Sequence, residues 1–329
     1  MLDPRRRQFI TLLGGAAVAW PLVARAQQPA MPIIGVLNST TEEAEAPRLT
    51  AFRQGLKETG FVDGRNVAIE YLFTDGQNDR LPMLAAELVR RHVAVLVANA
   101  TAAALAAKTA TATIPIVFVT GGDPVELRLV ASFNRPGTNA TGVTILVNKL
   151  VAKRLELMGE IAPKTAPFAM LVDQSNPNAE SDVRDAVAAA ATLGRTLLVA
   201  KVMTSNDLDA TFADLVRQRV GALFVTPSVN FRGWRHHLAA LSVHHALPAS
   251  YSDRDFVAAG GLMSYGPDQS DLYHQVGIYA GRILKGEKPA ELPVVQPTKF
   301  ELVVNLRTAK TFGIDLSAKL LALADEVIE

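Results

Sequence analysis

The sequence predicts an α/β protein of two similar Rossmann-like lobes, each built on a parallel sheet, with a ligand cleft between them. Three observations carry this reading. The stretch Ala86-Glu-Leu-Val-Arg-Arg-His-Val-Ala-Val-Leu-Val-Ala-Asn-Ala-Thr101 recurs, blurred, as Ala213-Asp-Leu-Val-Arg-Gln-Arg-Val-Gly-Ala-Leu-Phe-Val-Thr-Pro-Ser228, 127 residues further on. Solenoid units run ~20–50 residues, so a repeat of this length is the size of a domain. Strand-length apolar runs alternate with helical periods through both halves, the pattern of a parallel sheet. Finally, matching strands in the two halves end in small polar loops, which places two sets of loops around one crevice.

In the first half, Ile33–Leu37 reads as a buried strand followed by the loop Asn38-Ser-Thr-Thr41. Leu49, Phe52 and Leu56 keep a helical period that Gly60 ends. Val67–Tyr71 is the second strand, Leu81–Arg91 the second helix, Val93–Ala98 the third strand, Thr101–Thr111 an Ala-rich helix and Ile114–Val119 the fourth strand. The second half repeats the order: strand Phe168–Val172, helix Val183–Leu193, strand Thr196–Val202, helix Leu208–Arg219, strand Ala222–Val225, helix Trp234–His245 and strand Leu247–Tyr251. Asn139–Leu150 reads as the link between copies. Gly261–Pro267, Leu272–Leu284 and Lys299–Asn305 have no evident counterpart in the first half and are expected to cross back between lobes. The expected division is a leader over 1–26, lobe 1 over 32–145 with a returning segment at approximately 265–305, and lobe 2 over 146–264 with part of the tail.

In open parallel α/β sheets, ligands bind beyond the carboxyl ends of the strands. The candidate ligand-binding residues are therefore Asn38, Ser39, Thr40, Thr41, Asn99, Ala100, Thr101, Thr120, Gly121 and Asp123 in lobe 1. In lobe 2 they are Asp173, Ser175, Asn176, Pro227, Ser228, Asn230, Tyr251, Asp253 and Tyr265. Helices begin directly after several of these loops, and helix N-termini favour carboxylates. Asp173 or Asp253 suits an ammonium, and Tyr251, Tyr265 or Phe231 suits an apolar part of a ligand. The same Ser, Thr, Asn and Asp residues also serve as ordinary helix caps. Convergence of six loops, rather than any one residue, makes the case for a site. Asn99–Thr101 and Thr226–Ser228 are expected to face each other across the ligand, with Ala100 against Pro227 marking the lobes as unequal.

The first 26 residues stand apart. Arg5-Arg6-Arg7, an apolar run from Phe9 to Val23 and Ala24-Arg25-Ala26 have the layout of a secretory signal peptide cleaved after about Ala26. Arg6-Arg7-Gln8-Phe9-Ile10 resembles the twin-arginine export signature. The bland alternative is an uncleaved N-terminal anchor, for which the run is short, since a spanning helix needs ~20 apolar residues. The leader holds four of the 33 basic and one of the 32 acidic residues, which leaves 29 against 31, a net charge of −2. No basic patch interleaved with aromatics appears, so nucleic acid is not an expected partner. There is no cysteine, which excludes disulfides, thiolate metal sites, a cysteine nucleophile and a lipidated N-terminus. A location free in the periplasm follows.

No catalytic constellation emerges. His236, His237, His244 and His245 share a helix, but pairs seven or eight apart lie two turns from each other, ~11–12 Å along the axis and too far for one ion. There is no G-x-S-x-G elbow, no G-x-x-x-x-G-K-[ST] phosphate loop and no dinucleotide fingerprint. No metal and no cofactor are expected, and the protein is not expected to be an enzyme.

Gly122-Asp-Pro-Val125, Leu129-Val-Ala-Ser132, Arg135-Pro-Gly137 with Thr141-Gly-Val143, and Lys153-Arg-Leu-Glu-Leu157 resemble the tryptophan/tyrosine-type substrate-binding proteins of ABC transporters. So do Ala259-Gly-Gly-Leu-Met-Ser-Tyr-Gly-Pro-Asp268, Gln296-Pro-Thr-Lys-Phe-Glu301 and Ala324-Asp-Glu-Val-Ile328. The resemblance spans essentially all of the chain after the leader. It implies the type I periplasmic-binding-protein fold, lobe closure on a small-molecule ligand (an amino acid or related small carboxylate), and docking as a monomer on an inner-membrane ABC permease. Where such proteins usually read Gly-Leu-Val after Asp-Pro-Val, this chain has Leu127-Arg128-Leu129-Val130, which leaves the ligand's identity open. A sensor subunit of the same fold that signals to a membrane receptor is the second reading, and an exported enzyme the third.

Overall fold

The computed structural model describes residues 31–146, 148–163 and 165–329, so the expected leader lies outside the described residues. Two sheets organise the unit Ile33–Glu329. The first has the order β2-β1-β3-β4-β5, with strands at Ile33–Asn38, Ala68–Phe73, Val95–Asn99, Ile116–Thr120 and Ala140–Thr144 numbered β1 to β5 along the chain, all parallel. The second has the order β12-β11-β10-β9-β8-β6-β7. Its strands β6 to β12 are Phe168–Asp173, Leu197–Val202, Ala222–Val225, Ala249–Tyr251, Met263–Pro267, Phe300–Asn305 and Glu326–Ile328.

The order β7-β6-β8-β9-β10 repeats β2-β1-β3-β4-β5 position for position. The duplication therefore extends one strand further than the sequence indicates. β5 lies within the expected link Asn139–Leu150, and β10 was expected to have no counterpart. Ala-Thr-Gly-Val-Thr has no strong strand signal, because pairing with β4 rather than local propensity makes it a strand. All five of its residues are buried, since the returning chain covers that edge. Val295 N–H donates to Gly142 O (2.9 Å), Thr144 N–H donates to Val295 O (2.9 Å), and the Thr141 hydroxyl donates to Leu292 O (2.7 Å). Covering an edge in this way also removes a template for unwanted strand pairing.

Helices fill both faces of each sheet. In lobe 1 they are α1 (Glu42–Glu58), α2 (Leu81–Arg90) and α3 (Thr101–Ala110). Lobe 2 holds α4 (Asn148–Gly159), α5 (Ala179–Thr192), α6 (Leu208–Arg217), α7 (Val229–Gly233), α8 (Arg235–His244) and α9 (Arg254–Ala258). The tail adds α10 (Gln269–Leu284), α11 (Leu306–Phe312) and α12 (Ala318–Leu323). The expected single helix Trp234–His245 is thus preceded by a separate short helix, α7, whose Ser228 N-cap accepts from the N–H groups of Asn230 and Phe231.

α10 belongs to lobe 1 although it follows β10 of lobe 2. Leu272, Tyr273, Val276, Tyr279, Ala280 and Ile283 share one core with Phe52 and Leu56 of α1 and with β1, β3 and β4. The returning segment is narrower than the expected 265–305, because β10 through Pro267 and β11 from Phe300 pair antiparallel with each other in the second sheet. The chain crosses between sheets after β5, after β10 and before β11.

Glycines set the α1–α10 contact. A Cβ on Gly277 would sit 2.1 Å from Phe52 O, and one on Gly55 would sit 2.0 Å from His274 O. Both obstructions are backbone atoms in rigid helices, so relief requires the helices to separate. Gly277→Ala is expected to destabilise the protein by about 2–3 kcal/mol, the cost of overpacking exceeding the gain in helix propensity. Chemical denaturation reads this directly, and a variant as stable as the parent would contradict the close contact.

Candidate ligand-binding cleft

In both sheets the strand order reverses at the first strand, which places a crevice at the carboxyl ends of β1 and β3 and of β6 and β8. Asn38 ends β1 and Asn99 ends β3 as partners in register, and the Asn99 amide donates to Asn38 Oδ1 (2.6 Å). Thr120, at the end of β4, and Thr101 share a 2.8 Å hydroxyl contact. Asp173 ends β6. Its Oδ1 accepts from the Ser175 N–H (2.9 Å) and hydroxyl (2.7 Å), and its Oδ2 accepts from the Ser228 hydroxyl (2.5 Å) and the Asn230 amide (3.1 Å).

Ala100 lies between β3 and α3 at φ 87°, ψ 157°, a backbone conformation that is essentially glycine's. It is the N-cap of α3, and no side chain caps that helix. Asn178, the N-cap of α5 on the other lobe, is also without a side-chain cap bond, and its amide instead donates to Thr101 Oγ1 across the cleft (3.0 Å). Ala100→Gly is expected to raise stability by about 1 kcal/mol, strain relief of ~1–3 kcal/mol outweighing the added entropy of the unfolded chain. A melting temperature below the parent's would count against strain at this position.

A cavity of about 770 Å³, part of it open to solvent, lies between these strand ends. Asn38, Ser39, Thr40, Asn99, Ala100, Thr101, Thr120 and Gly121 line it from lobe 1, and Asp173, Asn176, Pro227 and Ser228 line it from lobe 2. A second chamber of about 460 Å³ adjoins it through shared walls at Ile145, Pro227, Ser228, Arg232 and Gln269. Asp253 and Tyr265 line this chamber.

Five of the expected residues do not line either space. Thr41 is exposed and caps α1 by accepting from Ala44 N–H. Asp123 accepts from the N–H groups of Val125 and Glu126 in its own turn. Ser175 and Asn230 buttress Asp173 from behind. Tyr251 is fully buried in the lobe 2 core and stacked on Phe256, and Phe231 is buried in the same core. Leu127–Val130 also lies off the cavity, so the chain's departure from the usual Gly-Leu-Val does not alter the cleft lining.

Residues on helices complete the site. Glu45 and Arg48 of α1, Arg232 of α7 and Asp253 form an ion network across the lobes. Arg232 Nη1 lies 2.5 Å from Glu45 Oε1, and Arg48 Nη2 binds Asp253 Oδ2 and lies 3.1 Å from Asp255 Oδ2. Arg232 Nε is 3.7 Å from Asp253 Oδ2. Glu45, Arg48 and Asp253 are each at most 5% exposed. Burial opposes ionisation of Asp253, but Arg48 and Arg232 outweigh it and hold its carboxyl below the usual carboxylate range. Asp253 therefore serves the contact between lobes rather than standing free for an ammonium.

Tyr273 and Gln269 reach the cavity from α10, and Asn78 from the turn before α2. Sequence reasoning missed Glu45, Arg48, Arg232, Tyr273, Gln269 and Asn78 because it searched only the loops after the first, third and fourth strands of each lobe. A signal existed for two of them. Glu45 and Arg48 fall on the same stripe as Leu49, Phe52 and Leu56, so two charges interrupt the buried face of α1. Among the described residues no group of three or more His, Cys, Asp or Glu side chains could hold a metal ion. His237 instead faces Asp209, with Nε2 to Oδ2 3.3 Å.

Two duplicated α/β lobes, crossed three times by the chain and lined at facing strand ends, define the type I periplasmic-binding-protein fold. A family model described as ABC transporter substrate binding protein matches residues 33–328, and the chain belongs to that family. Its members bind small-molecule solutes, work with ABC permeases and are typically periplasmic or extracellular. The chain is 27% identical to a tyrosine-binding protein of Clostridioides difficile (strain R20291) over 266 residues, 80% of this chain and 75% of that protein. It superposes on a crystal structure of a Vibrio cholerae conserved domain protein with a TM-score of 0.85 and 26% identity, covering 90% of this chain and 99% of that one. A Streptococcus pneumoniae ABC domain in complex with L-Trp gives a TM-score of 0.84 and 26% identity, covering 91% and 100%. No helix among the described residues is long and apolar enough to cross a membrane.

Proposed function

We propose that this protein is the exported, monomeric receptor of an ABC importer, that it binds an amino acid or related small carboxylate between its lobes, and that it releases the ligand unchanged. The observation that carries this reading is the set of buried polar atoms without a protein partner on the cavity wall. They are Asn38 Nδ2, Ser39 Oγ, Glu45 Oε2, Asn78 Oδ1 and Asn99 Oδ1. Buried polar groups are normally hydrogen-bonded, and a mixed set of donors and acceptors converging on one concave space is the chemistry of a small polar ligand site. The L-Trp complex and the tyrosine-binding relative favour an amino acid, and Tyr273 offers an aromatic wall for its side chain.

In this reading ligand docks on one lobe and the closed form is selected through contacts from the other. A ligand shifts that equilibrium only by its preference for the closed form. Thermal denaturation with single amino acids and small carboxylates tests it. At about 100 times Kd a ligand adds ~2.7 kcal/mol, a rise of several degrees for a chain of this size. Absence of any ligand-linked rise across the twenty amino acids and common small carboxylates would overturn the assignment.

A further inference from the structure

The second chamber lies on the lobe 2 side of the cleft, between α4 and the strand ends of the second sheet. Arg154 of α4 lines it and is 1% exposed. Its Nη2 donates to Val225 O (2.8 Å) at the end of β8 and to Ser250 O (2.7 Å) in β9, and its guanidinium lies 4.1 Å above the Phe224 ring. Nε and Nη1 have no hydrogen-bond partner. No carboxylate forms an ion pair with this guanidinium among the described residues. Asp182 of α5 acts on it at longer range, and Asp182 is itself pushed up to about 7 by burial and by Asp185, against the pull of Arg154. Burial lowers Arg154 to about 9, which still leaves it protonated at neutral pH.

A buried cation without a counterion is costly, and removing its only compensation is more so. The other charges on the chamber do not supply one. Asp253 is held by Arg48, and Arg232 by Glu45. The remaining walls, Ile145, Leu150, Phe256 and Pro267 among them, exclude water and strengthen any charge pairing inside.

We propose that the second chamber is the carboxylate subsite of the cleft: Arg154 supplies a buried positive charge that a ligand carboxylate completes, while the remainder of the ligand occupies the main chamber against Asn38, Asn99 and Tyr273. This rests on the receptor reading above. Asp173 carries no ion-pair partner among the described residues, lines the main chamber and bonds Ser228, which lines both spaces. The two unpaired charges thus give a zwitterion a fixed direction, with its ammonium on the Asp173 side and its carboxylate on the Arg154 side.

Isothermal titration of the full mature chain with L-tryptophan and L-tyrosine, each beside its uncharged primary amide, tests the subsite. The parent is expected to bind each acid at least about 10-fold more tightly than its amide, the loss typical of a charge-assisted bond. In Arg154→Met that gap closes because the acid weakens and the amide does not. Arg154→Lys retains the charge and part of the gap. Equal binding of acid and amide by the parent overturns the subsite without any variant having to fold, and leaves the receptor reading standing. A gap that survives Arg154→Met also overturns the subsite, since a merely structural arginine would weaken acid and amide alike. No binding of any of the four compounds overturns the subsite as a site for these two amino acids, whereas the receptor reading stands or falls with the thermal screen across all twenty.

Discussion

Arg48→Met is expected to weaken ligand binding by at least about 100-fold while leaving the ligand-free melting temperature nearly unchanged. Arg48 belongs to lobe 1 and Asp253 to lobe 2, so their contact exists only while the lobes meet. Breaking a buried pair by removing one partner costs about 3–5 kcal/mol, because the remaining charge is stranded. Here the molecule has an escape. Opening the cleft returns Asp253 and Glu45 to water, so the penalty falls on closure and not on folding of either lobe. Closure is where ligand affinity resides, and 3–5 kcal/mol at the closing step corresponds to two to three powers of ten or more in Kd. Combining Arg48→Met with Asp253→Asn should restore part of the loss, the signature of a direct pair in a double-mutant cycle. A variant whose ligand-free stability falls as far as its affinity would show that the pair holds the fold rather than the closed state.

The same network fixes a pH dependence. Desolvation alone would raise the Asp253 carboxyl, but the two arginines outweigh it and the closed-state value lies below the ordinary 3.8. A depressed carboxylate favours the closed form fully above its open-state value, and that contribution fades as pH falls through the lower, closed-state value. Affinity should therefore be flat from neutrality to about pH 5 as far as Asp253 is concerned, and decline below about pH 4.

The architecture was legible because its signals are local. Buried strands such as Ile33–Leu37 and Ala222–Val225 are continuous apolar runs, and the helix–strand–loop unit ending at Thr101 and Ser228 survives duplication well enough to be aligned. β5 and β10 escaped because their partners, not their residues, make them strands. The loop half of the cleft followed from topology alone, since strand ends at a switch point must face the crevice. The rest of the site did not follow, for two reasons. Short-range cap chemistry and ligand chemistry use the same residues, so Thr41 and Asp123 could not be told from Thr40 and Thr120 without coordinates. Glu45, Tyr273 and Gln269 come from helices whose apolar faces point to packing, Arg232 comes from the short helix α7 that the sequence does not show, and their meeting depends on how the tail returns across lobe 1. Asp253 was placed at the cleft by sequence as one of two carboxylates suited to an ammonium, and its pairing with Arg48 was out of sight because that partner lies 205 residues away.

Asp173→Ala is expected to abolish measurable ligand binding and to destabilise lobe 2 by about 3 kcal/mol, through a chain of contacts that starts at the end of β6. Four hydrogen bonds converge on this carboxylate from Ser175, Ser228 and Asn230. Its removal takes the acceptor from the buried Asn230 amide and from the half-buried Ser175 and Ser228, a loss of up to ~1–3 kcal/mol for the buried donor and less for the others. The damage then passes along α7. Ser228 caps that helix, and Arg232, one turn on, carries the ion pair to Glu45 of the opposite lobe. A loosened Ser228 therefore displaces the residue that closes the cleft as well as a residue that lines it. Asp173→Asn should be milder, because Oδ1 can still accept from Ser175 while the new amide meets the Asn230 amide donor to donor. The order parent, Asn, Ala in both affinity and stability is the outcome to look for by calorimetry and denaturation. If Asp173→Ala binds within about twofold of the parent, the carboxylate neither builds the lobe 2 wall nor orients a ligand, and the cleft must be organised from lobe 1 alone.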